Sequence, residues 1–144
     1  MKKIIVAVDL SDLAIAALNK TLELAIAFSS SVRLIHVIAP VPAYIGNEIG
    51  PAVVHEDLDE NLDSISTDLQ SMVDYLKQQN VQSDSIVCKG PVIDSILEQA
   101  DLFQSDLIVM GAHNHGFLYR AFMGSICSGV VKHSKCPVLI IPGK

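Results

Sequence analysis

Five short apolar runs, rich in β-branched residues, punctuate the chain: Ile4–Val8, Val32–Ile38, Ser85–Cys88, Leu107–Met110 and Val138–Ile141. The first, fourth and fifth are almost continuously hydrophobic, the pattern of strands covered on both faces. Helical periodicity fills the spaces between them. Ser11 is placed to N-cap a helix with core positions Leu13, Ala17, Leu18, Leu22, Ala25 and Ile26. Leu58, Leu62, Ile65, Leu69, Met72 and Leu76 step by four and three in turn, which is one stripe of an amphipathic helix. Glu56, Asp57, Asp59 and Glu60 give its first turns the charge that suits a helix N-terminus. Gly90-Pro91 opens a third helix through Ile93, Ile96, Leu97 and Ala100. A last helix is expected to begin near Gly124-Ser125 and run towards His133. Pro137 suits the start of an edge strand, because it has no N–H for a central ladder. This alternation predicts an α/β fold: one domain over residues 1–144, built on an open, mainly parallel sheet with right-handed crossovers. The one long irregular stretch, Ala39 to His55, carries Pro40, Pro42, Gly46, Gly50 and Pro51.

Composition narrows the class. The chain has 144 residues, of which 50% are hydrophobic and 18% charged, enough to bury a core and too apolar for disorder. Its net charge of −6 argues against general nucleic-acid binding, which needs a field of Lys and Arg. No apolar run approaches the roughly 18–20 residues of a membrane span. The start, Met1-Lys2-Lys3 and five apolar residues ending on Asp9, lacks the cleavage site of a signal peptide. Three cysteines, Cys88, Cys127 and Cys136, have no CxxC spacing, so a reducing, cytoplasmic setting fits better than a disulfide framework.

In an open α/β sheet the chemistry gathers beyond the C-terminal ends of the strands. The loop after the first strand, Val8-Asp9-Leu10-Ser11-Asp12, has no glycine, which excludes a dinucleotide fingerprint and a P-loop. The loop after the fourth strand is different. It begins Met110-Gly111-Ala112-His113-Asn114-His115-Gly116 and ends Met123-Gly124-Ser125. Gly111 suits a turn off the strand, and Asn114 and Gly116 tolerate positive φ. Gly124-Ser125, at an expected helix N-terminus, offers N–H groups and a hydroxyl to an anion. Backbone anion sites at both ends of one loop suit a chain of phosphates.

This loop resembles the nucleotide-binding motif of the universal stress protein family, G-x2-G-x9-G-[ST]. Gly111 matches its first glycine, Asn114 stands at the second, and Gly124 and Ser125 follow after nine residues. The segments IIVAVDLS, LIHVI, KGPVIDSI, DLIVMGAH and CPVLIIP resemble that family along the whole chain. The resemblance implies a five-stranded sheet of order 3-2-1-4-5 with helices on both faces, a Rossmann-like adenine-nucleotide-binding fold. It implies ATP, or AMP or ADP, as the ligand. Ala7 and Asp9 would lie on the ribose or adenine side, and Val37 would offer backbone groups to the adenine. Met110 and Gly111 would line the pocket. His113, Asn114, His115 and Gly116 would wrap the phosphates, with Gly124 and Ser125 closing the far side. A homodimer through Val138, Leu139, Ile140 and Ile141 is also implied.

Other readings stand beside these. His113 and His115 form an HxH pair, but without a nearby third ligand a solvated or phosphate-facing loop suits them better than a metal. Asp9 is the one carboxylate with a claim on Mg²⁺. His36 reads as a satisfied, half-buried strand histidine, Arg120 as a phosphate contact or a solvated cation, and Cys127 and Cys136 as small core residues. Asn114 either keeps the turn in a left-handed conformation or closes the site by its bulk. The function is then a nucleotide-binding stress-response dimer with at most slow ATP hydrolysis, or an interaction module whose nucleotide site is closed. The HxGH and SGGxDS signatures of related adenine-binding enzymes are absent. A receiver domain is rejected because Cys88-Lys89 stands where its aspartate is required.

Overall fold

A computed structural model describes residues 1–40, 54–112 and 117–143, giving backbone alone for helix residues 54–60 and 117–123. Strands and helices alternate as the apolar pattern requires: β1 (Lys3–Ala7), α1 (Asp12–Phe28), β2 (Ser31–Ile38), α2 (Val54–Gln78), β3 (Ser83–Lys89), α3 (Val92–Phe103), β4 (Leu107–Ala112), α4 (Phe117–His133) and β5 (Val138–Pro142). All four strand pairings are parallel, and the order across the sheet is β3-β2-β1-β4-β5. Most of the expected 39–55 loop lies outside the described residues.

The period of two along each strand sorts side chains onto two faces. Ile4, Val6 and Val8 of the β1 run, with Val32 and Leu34 of β2 and Leu107 and Val109 of β4, pack against α1 and α2. Ile5, Ile35, Ile108 and Met110 point the other way, against Ile96 and Ala100 of α3 and Val130 of α4. The β1 run Ile4–Val8 and the β4 run Leu107–Met110 are therefore apolar at every position, since both faces of these strands are covered. Burying one such side chain contributes roughly 1.5–3 kcal/mol. Truncating one, as in Leu34→Ala, leaves a cavity and costs about 2–5 kcal/mol.

Two expectations about the helices need correction. In α1 the inward residues are Ala14, Ala17, Leu18, Thr21 and Ala25, whereas Ile26 is 57% exposed. Small residues let α1 lie close on the sheet, and the buried Thr21 hydroxyl is satisfied by donating to the Ala17 carbonyl at 2.8 Å. In addition, α4 begins at Phe117, seven residues before the expected start, which places Gly124 and Ser125 inside it. Leu118, Arg120, Ala121 and Met123 are good helix formers, and one interior glycine costs only about 1 kcal/mol. The N–H groups at Gly124 and Ser125 thus belong to the helical ladder rather than to a free N-terminus. Pro91 occupies the N-cap position of α3, one residue before the expected first turn.

The start of the sheet is pinned by one carboxylate. Asp106, just before β4, accepts from the Lys2 N–H at 2.6 Å and the Lys3 N–H at 2.9 Å. These two bonds, aided by the nearby N-terminal and Lys3 charges, hold the Asp106 carboxyl below its ordinary range. A lowered folded-state pKa contributes stability above the unfolded value, near 3.9, and loses it as pH falls through the folded value. Asp106→Asn is expected to melt below the parent protein at neutral pH. The two melting curves should converge as pH falls from about 4 towards 2, a comparison that thermal unfolding at stepped pH makes directly.

Candidate nucleotide site

Strand order reverses between β1 and β4: the chain adds β2 and β3 on one side of β1, and β4 and β5 on the other. At that reversal, beyond the C-terminal ends of the strands, a cleft of about 450 Å³ opens. This lies within the range of roughly 300–1,000 Å³ typical of small-molecule sites. Its walls come from six elements and the β1–α1 turn. The end of β1 supplies Ala7, Val8 and Asp9; α1 and the turn before it supply Ser11 and Ala14; β2 supplies Ile35, His36 and Val37. Val92 and Ile96 of α3, Met110 and Gly111 of β4, and Ile126 of α4 complete it.

The turn from β1 into α1 is held by side-chain hydrogen bonds. The Asp9 carboxylate accepts from the Ser11 N–H at 3.0 Å and the Ser11 hydroxyl at 2.6 Å. Ser11 Oγ in turn accepts from the Leu13 N–H at 3.3 Å and caps α1, as its position in the sequence predicts. Between them Leu10 sits at φ 61°, a left-handed conformation that costs a non-glycine residue roughly 1–2 kcal/mol. The two Asp9 bonds and the packing of Leu10 against the α1–α2 core hold it there.

Gly111 does not turn the chain off β4, contrary to expectation. It pairs with Ile141 in the β4–β5 ladder, which runs on to Ala112. Its lack of a side chain serves packing instead: a Cβ there would lie 3.4 Å from Leu13 Cβ, so the first turn of α1 rests directly on β4. At Gly124, by contrast, an added Cβ meets nothing within 4 Å.

The strand edge inside the cleft is distinctive. The Val8 N–H donates to the Ile35 carbonyl at 2.9 Å, the last backbone rung between the β1 run and β2. Backbone groups alternate sides along a strand, so those of Val37 face the same side as those of Ile35. That is past the end of β1 and into the cleft. Among the described residues no Lys or Arg lines the walls, so the attraction they offer an anion comes from backbone dipoles. The N-termini of α1 and α3 both open here, and no side chain caps α3.

The sequence model of the universal stress protein family matches residues 1–142. The chain belongs to the universal stress protein family. As a universal stress protein it is 32% identical to protein Sll1388 of Synechocystis, over 96% of each chain. UspA of Lactobacillus plantarum has the same fold, with a TM-score of 0.78 at 25% identity over 97% of each chain. A universal stress protein in complex with cAMP superposes with a TM-score of 0.71 at 22% identity, over 98% of this chain and 96% of its own. The Archaeoglobus fulgidus universal stress protein in complex with dAMP does so with 0.68 at 22% identity, over 98% of each chain. At those identities the likeness is one of fold.

Of the residues expected at the site, the universal stress protein fold gathers Ala7, Asp9, Val37, Met110 and Gly111 on one cleft. Gly124 and Ser125 stand in α4, just before the lining residue Ile126. His113, Asn114, His115 and Gly116 lie outside the described residues. Sequence reasoning missed the walls: Val92, Ile96 and Ile126 look like any core residue in a periodic pattern. The rule that ligands sit at the strand-order reversal, applied to the Gly90-Pro91 helix start, points to Val92. Among the described residues no cluster of three or more metal-ligating side chains occurs.

The thiols are not part of this chemistry. Burial pushes both Cys88 and Cys127 above the ordinary thiol range, with Glu98 adding to the effect at Cys88. That keeps them protonated, as their packing in the α3–α4 core suggests.

Ser11 links the turn to the helix. Ser11→Ala is expected to cost about 1 kcal/mol by removing the α1 cap and the hydroxyl bond to Asp9. Ser11→Thr should keep most of it. Urea denaturation of the three proteins makes the comparison.

Proposed function

We propose that this universal stress protein binds an adenine nucleotide, ATP foremost, in the cleft between β1 and β4, and acts as a regulatory stress-response homodimer. One observation carries the reading: the cleft at the strand-order reversal combines an apolar slot with an open backbone edge at Val37. An adenine ring needs a flat apolar slot and backbone partners for its N1 and N6. Ala7, Met110, Val92 and Ile96 supply the first, and the N–H and C=O of Val37 supply the second. Asp9, on the cleft wall at the end of β1, would accept from a ribose hydroxyl. The phosphates would then run towards 113–116 and be held by N–H groups. The cAMP and dAMP complexes of related proteins support an adenine ligand.

Mg²⁺ would be held chiefly by the nucleotide's own phosphates, with Asp9 as the nearest protein carboxylate. Any hydrolysis would be slow, with no evolved general base proposed among the described residues that line the cleft. The free thiols Cys88, Cys127 and Cys136 support residence in a reducing compartment such as the cytoplasm.

Titration of ATP, AMP and GTP into the purified chain tests the reading. Micromolar ATP binding is expected, weakened at least tenfold by Ala7→Leu, or about 1.4 kcal/mol. Absence of ATP binding by the native chain, with binding gained in Asn114→Gly, would replace this reading by that of an interaction module with a closed site.

The dimer reading rests on β5, an outer strand of the sheet. The Ile108 N–H donates to the Pro137 carbonyl at 3.0 Å, so by alternation residues 137, 139 and 141 face β4 while Val138 and Ile140 face outwards. An exposed edge of this kind pairs readily with its twin. Ile140→Pro removes an outward N–H without touching a rung to β4. It is expected to convert the dimer to a folded monomer in light scattering coupled to gel filtration. A monomeric native chain would end the dimer reading.

A further inference from the structure

Val8 is only 5% exposed, so its carbonyl must find a donor inside the protein. Two donors compete for it. Continuation of the β1–β2 register beyond Ala7 and Ile35 would bring the Val37 N–H to the Val8 carbonyl as the next rung. That rung is missing. Instead His36 Nδ1 lies 2.8 Å from the Val8 oxygen. A carbonyl only accepts, so Nδ1 carries the proton, and in the neutral ring Nε2 keeps its lone pair. The imidazole has taken the partner of the next backbone amide. The pairing of β2 with β3 on its other side continues undisturbed, and the Gly90 N–H reaches the Ile38 carbonyl at 3.0 Å. Only the β1 side of β2 is opened, and it opens into the cleft.

We infer that His36 is the positioning residue of the nucleotide site: its Nδ1–H occupies the Val8 carbonyl and so leaves the Val37 N–H free to read the base. The inference rests on the adenine reading above. It extends that reading by naming the group that sets the donor and by predicting discrimination between purines. A backbone N–H suits adenine, whose N1 accepts, and rejects guanine, whose N1 carries a proton. Without a donor at position 36, the Val8 carbonyl takes the Val37 N–H, β1 zips one rung further onto β2, and the base loses its partner. Leucine keeps much of the side-chain bulk but offers no donor. Asparagine places an amide N–H close to the position of Nδ1 and should substitute for it.

Two measurements on the full chain separate this proposal from the nucleotide reading. The first needs no ligand. In the native protein at pH 8, imidazole ¹⁵N shifts are expected to report the Nδ1–H tautomer, and the Val37 amide should exchange rapidly. In His36→Leu that amide should become protected by at least tenfold, and in His36→Asn it should stay fast. A Nε2–H tautomer, or a Val37 amide equally protected in native and Leu variants, would overturn the role of His36 whether or not ATP binds.

The second is titration with ATP and GTP. His36→Leu is expected to lose at least tenfold in ATP affinity and most of its preference for ATP over GTP, while His36→Asn stays within about threefold of the native chain. Unchanged ATP affinity in a folded His36→Leu protein would also overturn the proposal. If no form binds ATP while the tautomer and exchange results hold, the adenine reading fails and the role of His36 in the strand edge stands.

Discussion

A crossover between parallel strands is almost always right-handed, so the side of a strand on which the next one is added decides which face the connecting helix covers. Here the chain first builds away from β1 in one direction and then returns to build in the other. The helices α1 and α2 therefore cover one face, and α3 and α4 the other. At the seam between β1 and β4, the connections leave in opposite directions, and the described residues leave a cleft beyond the strand ends. The cleft is a by-product of handedness and strand order before any particular side chain is chosen. Side chains then decide what it can hold.

Among the described residues Asp9 is the one carboxylate on the cleft wall and no Lys or Arg stands beside it, which has a bearing on how an acidic protein can take up a polyanion. A net charge of −6 gives no long-range attraction for phosphate. The favourable field that the described residues supply is local, at helix N-termini and backbone N–H groups at the strand ends. Binding built this way depends on geometry rather than on a pool of lysines. It should respond weakly to ionic strength compared with a basic surface patch.

Most of the fold was legible because strands buried on both faces must be apolar throughout. Ile4–Val8 and Leu107–Met110 can be recognised as central strands from that alone. The order of the strands was not in the periodicity and came only with the family resemblance. The start of α4 was misjudged because Gly124-Ser125 reads as a helix start, while the helix formers before it carry the helix through. Ile26 fits the periodic pattern of a core residue and yet lies exposed. The sheet in fact accepts Ala14, Ala17, Thr21 and Ala25, whose small size lets the backbones approach. At the site, Asp9, Val37 and Gly111 were recognisable through the motif and its neighbours. His36 is the satisfied strand histidine that its position suggests, with the Val8 carbonyl as its partner. What a sequence cannot display is the competition between its ring and the next amide for one carbonyl.

The Asp106 carboxylate that holds Lys2 and Lys3 draws attention to when β1 can become central. Its partner on one side, β2, follows within about thirty residues, but β4 lies a hundred residues further along the chain. During synthesis, β1, β2 and β3 can assemble with α1 and α2 while the far edge of β1 is still bare. That edge is apolar on both faces of its strand, and for several seconds of translation at about 5–20 residues per second it is open to pairing with another chain. The central strand of the finished protein is thus an open edge of the nascent one, and closure by β4 is the step that removes the hazard.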